Sequence, residues 1–170
     1  MKFKSDGIKV MHELKLFEEQ NEEIHEFMKK HKIKEYDITP QGVDVHQDVN
    51  LNGRELHELP FQFNEIHGFF ECSTGNLKSL RNAPRVVRGY FSCTNNQLKS
   101  LEFCPKFVQG DFYCFSNKIS PWEHRYLLFS EVQDEIRTSN SELNLFFRKY
   151  QNQKALIPQA LKELRELQKR

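Results

Sequence analysis

Between Asp48 and Pro121 apolar residues return every 21 positions. Val49 and Leu51, Phe70 and Cys72, Phe91 and Cys93, and Phe112 and Cys114 form an apolar-x-apolar series at that spacing. Leu56, Leu77, Leu98 and Ile119 make a second series, and Leu59, Leu80 and Leu101 a third. Pro84 and Pro105, Val87 and Val108, and Gly68, Gly89 and Gly110 keep the same phase. A fixed period in the twenties marks a solenoid, in which stacked turns bury a column that no single turn could bury. Each repeat reads as one turn. A short strand such as Tyr90–Thr94 sends Phe91 and Cys93 inward, and Leu98 and Leu101 fold over them. Pro105, Val108 and Gly110 form the return path, because proline cannot donate to a ladder. The predicted column is Leu51, Leu56, Leu59, Phe70, Cys72, Leu77, Leu80, Phe91, Cys93, Leu98, Leu101, Phe112, Cys114 and Ile119.

The flanks follow other periods. Met11, Leu14, Phe17, Ile24, Phe27 and Met28 recur at three- and four-residue steps, which predicts an amphipathic helix with Glu18, Glu19, Glu22, Glu23 and Glu26 toward water. Ser5 or Asp6 is its candidate N-cap, and the helix is expected to close the open N-terminal end of the column. Val43 and Val45, then Val49 and Leu51, alternate around the polar His46-Gln47-Asp48, which predicts a hairpin over the first solenoid edge. After Asn117 the period stops. Trp122 through Ile136, Leu143–Tyr150 and Pro158–Arg170 read as a C-terminal helical cap, with Trp122 sealing the last turn. The fold class is thus an α/β solenoid, a short parallel sheet of about four turns between helical caps. One domain is expected, with the N-terminal cap over 1–40, the solenoid over 41–121 and the C-terminal cap over 122–170.

The residues carry a resemblance. Phe91-x-Cys93-x-x-Asn96-x-Leu98-x-x-Leu101 is similar to the leucine-rich repeat, with Phe and Cys at the first two core positions. The layout resembles more closely the small leucine-rich-repeat-like proteins of tailed phages, whose turns read V-x-G-x-F-x-C-x-x-N-x-L-x-S-L-x-x-x-P. Here Val87-x-Gly89-x-Phe91-x-Cys93-x-x-Asn96-x-Leu98-x-Ser100-Leu101 and Val108-x-Gly110-x-Phe112-x-Cys114-x-x-Asn117 match. The likeness spans roughly residues 10 to 121. It implies a phage or bacterial source and a surface that binds proteins, without implying one activity. In leucine-rich repeats the Asn amide satisfies backbone groups of its own turn and its neighbour. Asn96 and Asn117 hold that place, but Gly75 and Arg54 occupy it earlier. The first two turns are therefore expected to be less regular or bridged by water, or else Gly75 adopts a left-handed conformation there.

Composition narrows the function. With 25 basic and 24 acidic residues, the formal charge is +1, which argues against an acidic DNA mimic and against a strongly basic nucleic-acid binder. The near-neutrality hides segregation. Phe69–Gly110 carries Lys78, Arg81, Arg85, Arg88, Lys99 and Lys106 against only Glu71 and Glu102, whereas Gln41–Gly68 carries Arg54 against five acids. No apolar run reaches the roughly 18 residues of a membrane span. MKFKSDGIKV lacks a secretory apolar stretch, so a cytoplasmic location, that of the bacterial host for a phage protein, is expected.

Candidate chemistry is sparse. Cys72, Cys93 and Cys114 stack in one phase and cannot converge on a metal, so they read as core thiols rather than ligands; a disulfide between them is sterically open, but core thiols suit a reducing cytosol. The seven His fall in no ligand or triad spacing, and no Gly-rich phosphate loop stands apart from the repeat. No enzyme, metal or cofactor is predicted. The outward strand positions are more telling: Phe69, Glu71, Tyr90, Ser92, Tyr113 and Phe115 are the predicted partner-binding residues, since aromatics anchor protein interfaces. The competing expectation is that the C-terminal helices fold back over Tyr113 and Phe115. The leading functional reading is a non-catalytic module that inhibits or redirects a host protein, such as a defence component or a replication, transcription or proteolysis factor. The alternative is nucleic-acid binding by a basic stripe of Lys78, Arg81, Arg85, Arg88, Lys99 and Lys106, with Phe69 or Tyr90 stacking on bases.

Overall fold

The computed structural model describes the backbone of residues 3–169, and the side chains of all but residues 1–14, 17 and 170. The chain divides into two compact units, Met1–Lys34 and Glu35–Arg170. The first is helix α1 (Phe3–Lys30), which ends at a left-handed Lys32. Glu18, Glu19, Glu22, Glu23 and Glu26 are exposed, as the pattern predicts. Ser5 and Asp6 lie inside the helix rather than ahead of it. The side chains of Met11, His12, Leu14 and Phe17 fall outside the described residues.

The second unit is a parallel β-solenoid of five turns, and each turn contributes two short strands rather than one. Its strands are β1 (Tyr36–Thr39), β2 (Gly42–Val45), β3 (Val49–Asn50), β4 (Phe63–Ile66), β5 (Phe70–Glu71), β6 (Val86–Val87), β7 (Phe91–Ser92), β8 (Phe107–Val108), β9 (Phe112–Tyr113), β10 (Glu131–Val132) and β11 (Ile136–Arg137). One sheet runs β1-β2-β4-β6-β8-β10 and the other β3-β5-β7-β9-β11. The return path predicted around Val87 and Val108 is therefore itself a sheet, in which Val86 pairs with Phe107 and Val87 with Val108. Pro84 and Pro105 stand just ahead of β6 and β8, where a missing N–H costs the ladder nothing.

Two further expectations are corrected. The hairpin is β1 with β2, with Tyr36 opposite Val45 and Thr39 opposite Gly42. Val43–Val45 and Val49–Asn50 are not hairpin partners; they are the two strands of the first turn, separated by the corner at His46-Gln47-Asp48. The period also does not stop at Asn117. Val132 pairs in parallel with Val108 and Ile136 with Phe112, which completes a fifth turn where about four were expected. A 3-10 helix, Pro121–Phe129, fills the corner of that turn and stretches its spacing beyond 21, which hides it from the repeat.

The column is filled as read from the period. Every predicted member is buried except Leu56 and Ile119, which are half-buried near the ends. Phe70, Phe91 and Phe112 stack through the turns, with ring centroids 5.8 and 5.0 Å apart. Each core thiol donates toward a carbonyl of the next turn: Cys72 to Ser92 O, Cys93 to Tyr113 O and Cys114 to Arg137 O. All four cysteines are free and buried, including Cys104, whose Sγ lies 3.4 Å from Ser130 Oγ. Burial pushes the Cys72, Cys93 and Cys114 thiols well above their ordinary range and raises Cys104 as well, so they behave as small apolar side chains.

The asparagine ladder follows the leucine-rich-repeat logic. Asn96 Nδ2 donates to the carbonyls of Cys72, Cys93 and Thr94, and its Oδ1 accepts from Leu77 N. Asn117 repeats the set one turn later on Cys93, Cys114, Phe115 and Leu98. Gly75 is not left-handed. The positive φ falls one residue earlier, at Gly53, Thr74, Asn95 and Ser116, with φ between 53 and 70°. What Gly75 provides is room, because a Cβ there would stand 3.0 Å from Asn96 Oδ1. The Asn of one turn thus reaches back to serve the turn that lacks its own. Gly89 likewise marks close approach: its N–H donates to Gly68 O, and a Cβ would meet Phe69 N at 2.8 Å.

The C-terminal part is helical beyond β11. Helix α2 (Ser141–Tyr150) is capped by Asn140 Oδ1, which accepts from Glu142 N and Leu143 N. Helix α3 (Ile157–Leu167) is tied to α2 where Tyr150 Oη and Lys149 Nζ meet Glu163. Trp122 does not plug the column. It lies half-buried between Arg125 and Arg165, each guanidinium within about 5 Å of its ring. His124 is buried in this segment together with Leu127 and Leu128, with Nδ1 2.9 Å from Ser120 O and its ring facing Phe147.

Burial holds the His124 pKa below its ordinary 6.5. The unfolded chain therefore takes up this proton as pH falls through about 6.5, while the folded chain resists it, so stability drops from that point downward. Glu123, against the upward pull of its burial, and Glu163 are lowered by hydrogen bonds and ion pairs, and their contributions are lost only as pH falls from about 4.5 downward. The melting temperature should thus fall between pH 7.5 and 5.5, and His124→Gln should flatten that fall. An equal slope in both proteins would show that His124 is not the titrating group.

Candidate binding face

The outer face of the β3–β11 sheet holds the predicted site. Pairing of Phe70 with Phe91 and Phe112 sets Phe69, Tyr90 and Asp111 in one row. Pairing of Glu71 with Ser92, Tyr113 and Arg137 sets a second. The Phe69 and Tyr90 rings stack at 4.8 Å with 8° between planes. Tyr113 meets Tyr90 edge-on at 6.0 Å, and Phe115 meets Tyr113 edge-on at 6.2 Å. Four rings form one continuous row across three turns, on a backbone held by strands on both sides.

Charge is arranged unevenly around this row. Burial and the Glu71 carboxylate, which accepts from its hydroxyl, push the Tyr90 phenol above its ordinary value. Tyr113 Oη donates to Asp111 Oδ2 at 2.5 Å, which raises its pKa in the same way. At the β11 end Arg137 sits 3.0 Å from Glu135 and 3.7 Å from Asp111, and Arg148 reaches Glu135 at 3.4 Å. Among the described residues no ion pair engages Asp48 or Glu71, so the early turns of the face stay acidic.

Exposure separates the predicted residues. Phe115 is 40% exposed, so α2 leaves it open, and Phe69, Glu71, Tyr90 and Tyr113 are half-buried. Ser92 points outward as expected but is buried, as are Ser73 and Thr94. The three hydroxyls bond to one another, Ser73 Oγ to Ser92 Oγ at 2.7 Å and to Thr94 Oγ1 at 3.0 Å. Short side chains in register with Glu71 and Tyr113 form the floor of the face, not its contact surface.

The basic residues do not line up as one stripe. Lys78, Arg81, Arg85, Arg88, Lys99 and Lys106 are all exposed. Arg88 is taken up by Glu65 at 2.7 Å and lies over Phe107. Lys78 and Lys99 repeat one turn apart on the side between the asparagine ladder and the second leucine. Only Arg81, Arg85 and Lys106 come together, around a cavity of about 480 Å³ that Phe103 also lines. Phe69 and Tyr90, the expected stacking partners for a basic stripe, belong to the other sheet.

Among the described residues no group of three or more His, Cys, Asp or Glu is placed to hold a metal ion. No helix of the described residues is long and apolar enough to cross a membrane. No protein-family model, curated protein or solved structure matches the chain.

Proposed function

We propose that this chain is a non-catalytic protein-binding module of phage origin that engages a bacterial host protein in the cytoplasm and inhibits or redirects it. A defence component is one such partner. The observation that carries this reading is the row Phe69, Tyr90, Tyr113 and Phe115, four accessible rings on a rigid strand face. Side chains held in this way lose little entropy on docking, and large aromatics are favoured anchors. The phage source rests on the resemblance of the repeat motif.

Affinity capture from a bacterial lysate, followed by calorimetry on the purified partner, tests the reading. Tyr90→Ala should weaken that complex by about 2 kcal/mol or more. It removes one half-buried ring and leaves the column intact, so the melting temperature should change little. Arg85→Ala, on the other sheet's side, should leave the complex unaltered. If Tyr90→Ala bound normally while removal of residues 1–34 abolished binding, the aromatic face would not be the docking site.

A further inference from the structure

The cavity beside β6 and β8 joins cations to an exposed aromatic ring. Arg81, Arg85 and Lys106 line it together with Gln62, Asn82 and Phe103, and no acidic side chain does. Lys106 N donates to Arg85 O, so these two cations are neighbours across adjacent turns. Arg88 on the same flank is neutralised by Glu65, but among the described residues no ion pair engages Arg81, Arg85 or Lys106. Glu102, next to Phe103 in the chain, does not line the cavity.

Phe103 is the unusual member. It is 47% exposed and sits at φ 66°, a left-handed backbone that bulky residues rarely adopt. One turn earlier the same corner is Asn82, at φ 68°, whose Nδ2 donates to Leu59 O. Asparagine suits that conformation and ties the corner down; phenylalanine does neither. The Phe103 ring fills no core space, and it is held in place by Arg81, whose guanidinium lies 5.7 Å from its centroid. A strained corner that presents an exposed aromatic beside unpaired cations calls for a ligand that is both flat and anionic.

We propose that this groove binds single-stranded nucleic acid, with one base stacked on Phe103 and the flanking phosphates on Arg81, Arg85 and Lys106. An aromatic ring with arginine beside it is a stacking platform that any base can use. Bases inside a duplex cannot reach it. An acidic polypeptide would use the cations, but a lone flat ring beside a guanidinium matches the face of a base more fully than it matches a carboxylate side chain. The groove lies on the opposite sheet from the aromatic row, so this inference does not depend on the protein-binding reading.

The test is fluorescence anisotropy of labelled dT12 and U12 with the full chain at several salt concentrations. Binding should appear at 50 mM salt with Kd on the order of 10⁻⁴–10⁻⁶ M, and log K should fall against log salt with a slope of about −2, as three phosphate contacts on a single strand require. Phe103→Asn should weaken binding about 5-fold or more, the loss of one stacked base. It should leave the melting temperature unchanged or higher, because asparagine relieves the corner. The triple change of Arg81, Arg85 and Lys106 to alanine should abolish binding, and Tyr90→Ala should leave it intact. The proposal is overturned if neither oligonucleotide binds, if Phe103→Asn binds as well as the parent, or if Phe103→Asn lowers the melting temperature. It is equally overturned if a twelve-residue oligoglutamate binds as tightly as dT12, which would make the groove an acidic-peptide site.

Discussion

Phe91→Ala should lower the unfolding free energy by about 3–5 kcal/mol, the usual cost of removing a buried aromatic. Phe91 is fully buried, with Phe70 on one side at 5.8 Å and Phe112 on the other at 5.0 Å. The neighbouring rings cannot close the gap, because each is anchored to its own strand and the strands keep their hydrogen-bonded spacing. In a solenoid each turn touches only its neighbours, so the loss of a middle ring weakens two interfaces at once. Total stabilities of single domains are about 5–15 kcal/mol, so the variant should be largely unfolded well below the parent's denaturant midpoint. Urea titration followed by circular dichroism reads this directly. A loss under about 1 kcal/mol would mean that the phenylalanine stack can repack, and that the column is looser than its geometry.

Asn96→Ala should come next in size and act by a different mechanism. It removes the acceptor of Leu77 N and the donor shared by Cys72 O, Cys93 O and Thr94 O, in a place that is 4% exposed. Each buried group left without a partner costs about 1–3 kcal/mol, so a total of roughly 2–4 kcal/mol is expected. Asn117 makes the equivalent bonds but is half-buried, and water can take over some of them. Asn117→Ala should therefore cost less. Hydrogen exchange gives a local check, since the Leu77 amide should lose protection in Asn96→Ala before the rest of the sheet does. If both variants lost the same small amount, the ladder would be decoration on a fold held by the column alone.

The candidate binding face was only partly legible in the chain. The alternation about Phe91 placed Phe69, Tyr90, Tyr113 and Phe115 outward, and the structure assembles them into one row. The same rule placed Ser92 beside them, yet Ser92 is buried, because alternation gives direction and says nothing of how far neighbours rise around a short side chain. The groove was less legible still. Arg81, Arg85 and Lys106 were read as half of a six-residue basic stripe with Phe69 or Tyr90 as its stacking partner, and Phe103 broke no pattern that a linear reading tests. Its left-handed backbone, and the Asn82 corner that it replaces, exist only in the folded coil.

The 21-residue period by itself determined the solenoid and its inward series, while the role of Asn96 and Asn117 came from the likeness of their turns to the leucine-rich repeat. Each turn meets nearly the same surroundings as the last, so the same residue types return at the same step and the period records the environment. Three things were decided only by tertiary structure: the second sheet, the hairpin partner of β2 and the fifth turn. The strands of the second sheet beyond β4 are two residues long, too short for alternation to show, and they exist only because a neighbouring turn supplies their hydrogen bonds. The fifth turn escaped because Pro121–Phe129 lengthens its corner, which breaks the count along the chain but not the pairing of Val132 with Val108 across it. Spacing along a sequence records a repeat only while the corners keep their length, whereas strand pairing depends on distance in space.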